Sequence, residues 1–228
     1  WSKSVSSVFI SFLYIEVGLQ QSSLFPSASS DEAEILPLPD GDFRYFQHFL
    51  SNQEADAYYQ QLLASLAWRQ DDIKMYGKQV KIPRLQAWYG DEDALYQYSG
   101  LDLPPIPWTE ELHTLKVRCE KASESVFNSV LANCYRDGQD SMAWHSDDEP
   151  ELGNRPVIAS LSLGQVRNFD LKHRTSGQRH RLPLEHGSLF IMAGNSQTHW
   201  LHSLAKTTKS LAPRINLTFR LVTPSLRR

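Results

Sequence analysis

Apolar and polar positions alternate most cleanly in the run Arg214 to Val222 (RINLTFRLV). Ile215, Leu217, Phe219 and Leu221 fall on one side, and Arg214, Asn216, Thr218 and Arg220 on the other. Successive side chains of an extended strand point to opposite faces, so this run predicts a β-strand with one apolar and one polar, cationic face. Val157 to Leu163 (VIASLSL) and Ser188 to Met192 (SLFIM) are shorter β-rich runs bounded by Gly, Pro or polar residues. Upstream the period lengthens. Ser51-Asn52-Gln53-Glu54 has the form of a capping box, and Tyr58, Tyr59, Leu62 and Leu66 then recur at helical spacing, predicting a helix over about Asn52 to Ala67. A second helix is predicted after Pro107, with Glu110 and Glu111 favourable to the dipole in its first turn. Its buried stripe is expected to be Leu112, Leu115, Cys119, Ala122 and Val126. Two helices followed, from about Val130, by many short strands predict an α+β chain whose larger part is a β-sandwich or open barrel.

Composition changes this picture little. A length of 228 residues suits one principal domain. The segment Val8 to Val17 is apolar, but it contains Glu16 and falls short of the ~20 residues a membrane helix needs, so no membrane partner is expected. Lys3 precedes it as in a targeting signal, yet no small-residue cleavage site follows. Residues 1–30, ending in the Ser-rich stretch Ser22 to Ser30, are expected to be a poorly ordered or spurious extension with a flexible linker. The domain proper is expected to occupy residues 31–228. The two cysteines, Cys119 and Cys134, form neither a CxxC pair nor a disulfide framework, which suits a reducing compartment. A net charge of -3 gives no global signature of nucleic-acid binding, so any such surface must be local. The stretch Lys172-His173-Arg174 to Arg179-His180-Arg181 is one such patch, and with Lys78, Lys81 and Arg84 it could track phosphates.

The chemistry starts from His145-Ser146-Asp147. Residues two apart on an extended segment point the same way, so an imidazole and a carboxylate can converge on one ion. A third histidine from a distant strand would complete a 2-His-1-carboxylate set with open positions for non-haem iron. Thr198-His199-Trp200-Leu201-His202 offers two candidates, and spacing alone does not separate His199 from His202. Arg214, Asn216 and Arg220 share one strand face, and guanidinium groups bind carboxylates in bidentate fashion, so that face could hold a dicarboxylate. Asn133 and Tyr135, also two apart, could add neutral donors.

Taken together, NCYRDGQDSMAWHSDDEPELG, LEHGSLFIMAGNSQTHWLHSL and APRINLTFRL resemble the AlkB family of iron(II)- and 2-oxoglutarate-dependent nucleic-acid demethylases, over roughly Lys74 to Thr223. The resemblance is nearest to the branch containing the second human homologue. It implies a double-stranded β-helix (jelly-roll) core, with N-terminal helices and a nucleotide-recognition lid at about residues 70–100. It implies His145, Asp147 and His202 as ligands of Fe(II), with 2-oxoglutarate and O2 as cosubstrates. Arg214 would pair with the distal carboxylate of 2-oxoglutarate, Asn216 and Arg220 would hold its chelating end, and Asn133 and Tyr135 would complete the contacts. In the lid, Lys74-Met75-Tyr76-Gly77-Lys78 takes the place of a hairpin that wedges into a duplex, an apt setting for Tyr76. Tyr96 and Tyr98 match positions that clasp a flipped base, and Glu149 an acidic contact to its exocyclic amine. One departure stands out. After Arg167 and Phe169 the resembling branch has a second aromatic, where this chain has Leu171. The implied activity is oxidative demethylation of N1-methyladenine and N3-methylcytosine in DNA, releasing formaldehyde and succinate. The alternatives are an RNA or tRNA demethylase of the same chemistry and a catalytically silent β-helix binding module. A monomer is expected, cytoplasmic in a bacterium or nuclear in a eukaryote.

Overall fold

The computed structural model describes residues 1, 32–75, 78–94, 96–98 and 101–223. Apart from Trp1, the extension expected at residues 1–30 lies outside the described residues, as does Tyr76. The chain runs β1 (Glu34–Ile35), β2 (Asp42–Phe46), α1 (Asn52–Ser65), β3 (Asp72–Met75), β4 (Lys78–Lys81), β5 (Leu85–Gly90), β6 (Tyr96–Tyr98), β7 (Leu101–Leu103) and α2 (Glu110–Ser123). It continues with β8 (Ser129–Tyr135), β9 (Met142–His145), β10 (Ile158–Gly164), β11 (Arg167–His173), β12 (Arg179–Leu184), β13 (Leu189–Ala193), α3 (Ser196–His199), β14 (Trp200–Leu204) and β15 (Arg214–Arg220).

The strand predicted at Arg214 becomes β15, flanked by β10 and β8 within a seven-stranded sheet ordered β1-β2-β13-β10-β15-β8-β5. Both neighbours are antiparallel, with Ser162 opposite Asn216 on one side and Asn133 opposite it on the other. Its two faces are buried for different reasons. Ile215, Leu217 and Phe219 pack into one cluster with Leu62 of α1 and with Leu112, Leu115 and Cys119 of α2. Each fully buried Leu or Phe contributes roughly 1.5–3 kcal/mol, so this layer fixes the helices on the outer face of the large sheet. The polar face looks inward at a second sheet, ordered β12-β11-β14-β9. A second cluster, including Phe43, Leu131, Phe190 and Trp200, fills part of the space between the sheets. There Phe43 stacks on Phe190 at 5.9 Å and meets Trp200 edge-on at 5.7 Å. Two facing antiparallel sheets with helices outside form the jelly-roll that the resemblance implied.

The helices begin where the sequence placed them and end slightly earlier. Ser51 and Glu54 form the full capping box. α1 stops at Ser65 because Leu66 turns extended, with ψ at 148°. α2 ends at Glu124, which adopts the left-handed conformation at φ 55°. Val126 therefore leaves the expected stripe and is 65% exposed, while Leu112, Leu115 and Cys119 are buried as expected. Leu221 likewise lies past the end of β15 and is 42% exposed. In the lid region, β3 pairs with β4, setting Met75 opposite Lys78, and β6 pairs with β7, setting Tyr98 opposite Leu101.

Candidate metal and cosubstrate site

β9 and β14 pair directly, placing His145 opposite His202, and Asp147 follows two residues after the end of β9. The two Nε2 atoms are 3.1 Å apart, and Asp147 Oδ1 lies 3.7 Å from His145 Nε2. One ligand atom from each of the three residues falls within 4.8 Å of the others. Each ligand is oriented from behind. His145 Nδ1 lies 2.9 Å from the Ala143 carbonyl, which only accepts, so Nδ1 carries a proton and Nε2 is the ring nitrogen turned to the site. Asp147 Oδ2 accepts from Arg220 Nη2 at 3.0 Å, and its backbone N–H donates to Gln197. The His202 ring stacks on Phe169 at 5.2 Å. Burial acts to raise the Asp147 pKa, but Arg220, His202 and His145 around it hold the carboxyl down at about 2. Burial, with His145 close by, pushes His202 down to about 3. A neutral imidazole at His202 and an ionised carboxylate at Asp147 suit the donors that a divalent iron requires.

The polar face of β15 forms the opposite wall. Asn133, Tyr135, Arg214, Asn216 and Arg220 line one pocket with His145, Asp147 and His202. Arg214 is 2% exposed. It donates to Ser162 Oγ at 2.8 Å and lies 5.5 Å from the Tyr135 ring. Burial lowers its pKa to about 10. Among the described residues no carboxylate pairs with it, and its buried Nε has no hydrogen-bond partner. A desolvated guanidinium without a counter-charge fits an anionic ligand, and the triad beside it fits iron. Arg220, expected at the chelating end of the cosubstrate, is placed against Asp147 in this structure. Asn216 Nδ2 donates to Ser160 Oγ and to the Leu161 carbonyl, while its Oδ1 accepts from Thr218. Ser160, Ser162 and Thr218 were not singled out from sequence. Their signal was available, since the serines stand two apart in VIASLSL and Thr218 shares the arginine face of β15.

Other expected residues take different places. Arg84, expected beside phosphates, is instead placed inside: it is 2% exposed and donates through Nε to Asn133 Oδ1 at 2.8 Å. The charges of the Lys172–Arg181 patch are partly engaged, Arg181 with Asp170, Arg174 with Ser146 and Asp148, and His173 with Asp40. Glu149 is half-buried at the cap of the 3₁₀ turn Pro150–Leu152. Leu171, in place of the second aromatic, is fully buried opposite His202 in the β11–β14 register. Tyr96 and Tyr98 lie on β6.

His199 belongs to a separate group. Asp40, His173 and His199 also bring one ligand atom each within 4.8 Å of one another. Here, however, the Ser176 backbone N–H donates to His173 Nδ1 at 3.1 Å. The neutral ring therefore carries its proton on Nε2, which faces Asp40 Oδ2 at 3.2 Å. His199 stacks parallel to that ring at 5.9 Å, and Trp200 meets it edge-on at 5.1 Å while donating to the Pro39 carbonyl. The group ties the turn before β2 to the end of β11, and its tautomer does not suit a metal ligand.

The chain matches the 2OG-Fe(II) oxygenase superfamily over residues 42–220. It is 43% identical over 189 residues to the mouse (Mus musculus) alpha-ketoglutarate-dependent dioxygenase alkB homolog 3, covering 78% of this chain and 65% of that protein. To the bovine (Bos taurus) DNA oxidative demethylase ALKBH2 it is 43% identical over 164 residues, covering 68% of this chain and 59% of the relative. The chain thus spans a little under two-thirds of the length of these relatives. The solved structure of OsALKBH1 superposes with a TM-score of 0.56 over 78% of this chain and 97% of that one, at 18% identity, a likeness of fold. Both sequence relatives belong with the resemblance read from the motifs, and the chain is a member of the 2OG-Fe(II) oxygenase superfamily, in the part of the AlkB family that contains homologues 2 and 3.

Proposed function

We propose that this protein is an oxidative demethylase of alkylated nucleic-acid bases, N1-methyladenine and N3-methylcytosine in DNA foremost. The observation that carries the reading is the His145–Asp147–His202 set facing a buried, uncompensated Arg214 across one pocket. Bound there with O2, iron(II) and 2-oxoglutarate supply the oxidation that hydroxylates an N-methyl carbon, after which the hemiaminal sheds formaldehyde. The chain's own residues do the positioning. Arg220 holds one oxygen of Asp147 and leaves Oδ1 toward His145, which prevents the carboxylate from turning away. Arg214 supplies a fixed charge in a site where water is largely excluded, so its attraction for a carboxylate is stronger than at a surface. Methylation at N1 of adenine or N3 of cytosine leaves the base cationic, and Asp147 puts an ionised carboxylate in the pocket lining. The bovine relative's name as a DNA oxidative demethylase is the reason for putting DNA first.

The test is release of formaldehyde and succinate from methylated single- and double-stranded DNA and RNA, side by side at one salt concentration. Turnover of DNA supports the reading. Turnover of RNA alone moves it to an RNA demethylase, and intact iron and 2-oxoglutarate binding without turnover of any oligonucleotide overturns it.

A further inference from the structure

Two amides line the pocket, and either end of an amide could face a ligand; Asn216 is already fixed by its bonds to Ser160, Leu161 and Thr218, which leaves Asn133. An ionised carboxylate only accepts, so an amide oxygen turned toward it would repel it. We propose that Arg84 is a positioning residue that fixes the Asn133 amide with Nδ2 available to the cosubstrate carboxylate, and thereby sets the affinity for 2-oxoglutarate. The proposal rests on the reading of the pocket given above.

The geometry is direct. Arg84 Nε donates to Asn133 Oδ1 at 2.8 Å, and both residues are 2% exposed. A guanidinium has five N–H donors and no acceptor, so the oxygen of the amide, never the nitrogen, can face it. With Oδ1 taken, Nδ2 is the end left for the pocket that Asn133 lines beside Asn216, its partner in the β8–β15 register. Arg84 is itself held. Its backbone N–H bonds the Ile82 carbonyl, and its Nη2 reaches Gln86 Oε1 at 3.5 Å. Gln86 Nε2 in turn donates to Asp71 Oδ2 at 2.7 Å, and Asp71 accepts from the Ile82 backbone at the root of the β3–β4 hairpin. The cosubstrate wall and the root of the β3–β4 hairpin are therefore joined by one run of hydrogen bonds, buried at Arg84 and Gln86 and half-buried at Asp71. Because Arg84 is enclosed, a role as a phosphate contact would require it to leave this network.

The experiment is a double-mutant cycle on 2-oxoglutarate binding, read by calorimetry on anaerobic, Mn(II)-loaded protein, with the oligonucleotide KM measured at saturating 2-oxoglutarate. Arg84→Met should raise the 2-oxoglutarate Kd roughly tenfold, since a charge-assisted hydrogen bond to the amide is lost. In the Asn133→Ala background the same change should add nothing, because Arg84 acts through Asn133. Arg84→Lys should recover part of the affinity. Asn133→Asp keeps a partner for Arg84 and the same shape, yet offers an acceptor to the carboxylate, and should weaken binding at least as much as Arg84→Met. An unchanged Kd in Arg84→Met or Asn133→Asp overturns the proposal. So do losses that multiply in the double variant, or an effect confined to the oligonucleotide KM. A wild-type protein that binds no 2-oxoglutarate overturns the pocket reading itself, whereas wild-type binding matched by Arg84→Met overturns this proposal alone.

Discussion

Replacing Arg214 with Met should move stability and cosubstrate affinity in opposite directions. Burial lowers the guanidinium pKa from its usual value to about 10. At 1.36 kcal/mol per pKa unit, this corresponds to roughly 3 kcal/mol of desolvation borne by the ligand-free fold at any pH below about 10. The unfolded chain holds this proton more tightly, so stability rises as pH climbs above about 10. Two contacts offset part of the cost: the bond to Ser162 Oγ, about 1 kcal/mol, and the Tyr135 ring, about 1 kcal/mol. An apolar isostere removes both sides of this balance, leaving a net gain of about 1 kcal/mol, or roughly 2–4 °C in Tm for a chain of this size. Affinity goes the other way. Losing the partner of a desolvated carboxylate costs about 2–5 kcal/mol, raising the 2-oxoglutarate Kd by roughly 30-fold or more. Differential scanning fluorimetry of the metal-loaded variant with and without 2-oxoglutarate reads both quantities. A variant that melts lower than wild type while keeping the wild-type ligand-induced shift would refute the claim that Arg214 waits for an anion.

Three further outcomes are expected. His202→Ala should lose iron and all formaldehyde release, whereas His199→Ala should keep bound iron and substantial turnover; iron content by mass spectrometry with a formaldehyde assay decides, and the reverse pattern would exchange their roles. Cys134, pushed up to about 11 by burial, and Cys119, raised further by complete burial, hold almost no thiolate at pH 8. Iodoacetamide should therefore label them only after unfolding, and mass-spectrometric labelling of the native chain within minutes would contradict this. Tyr76→Ala should lower kcat/KM on methylated duplex DNA far more than on the same strand unpaired, while Tyr98→Ala should damage both, because only a paired base must be replaced in the stack; equal losses from Tyr76→Ala on both substrates would end the wedge interpretation.

What was readable in the chain follows from how local each signal is. The capping box at Ser51–Glu54 and the alternation at Arg214–Arg220 are set by near neighbours, and both stand where the sequence placed them. Strand β5, LQAWYG, is buried along nearly its whole length, so it carries no alternation to read. Strand β2 is short, and its partner β13 lies far along the chain. Val126 continued a helical stripe on paper, but Glu124 had already turned the chain out of the helix. At the site, spacing alone left His199 and His202 open and the family resemblance implied His202; the β9–β14 register, a long-range fact, sets His202 opposite His145. Arg84 looked like one basic residue among several. Only the β5–β8 pairing, which brings its end of β5 beside Asn133, shows why a cation is enclosed there.

The position of β15 has a consequence for how the molecule comes into being. It is the last strand of the described chain, yet it lies between β10 and β8, paired with β8 over Arg214–Arg220 and with β10 from Arg214 to Phe219. During synthesis the large sheet must wait as two separate pieces, each presenting an unpaired edge, until residues 214–220 emerge and thread between them. The same insertion delivers Arg214, Asn216 and Arg220, so a nascent chain has no anion site and no support for Asp147 before its fold is closed. Such late, distant pairing is slow. Agents that hold open sheet edges apart during that interval, chaperones above all, should then govern the yield of active protein more strongly than small changes in its final stability.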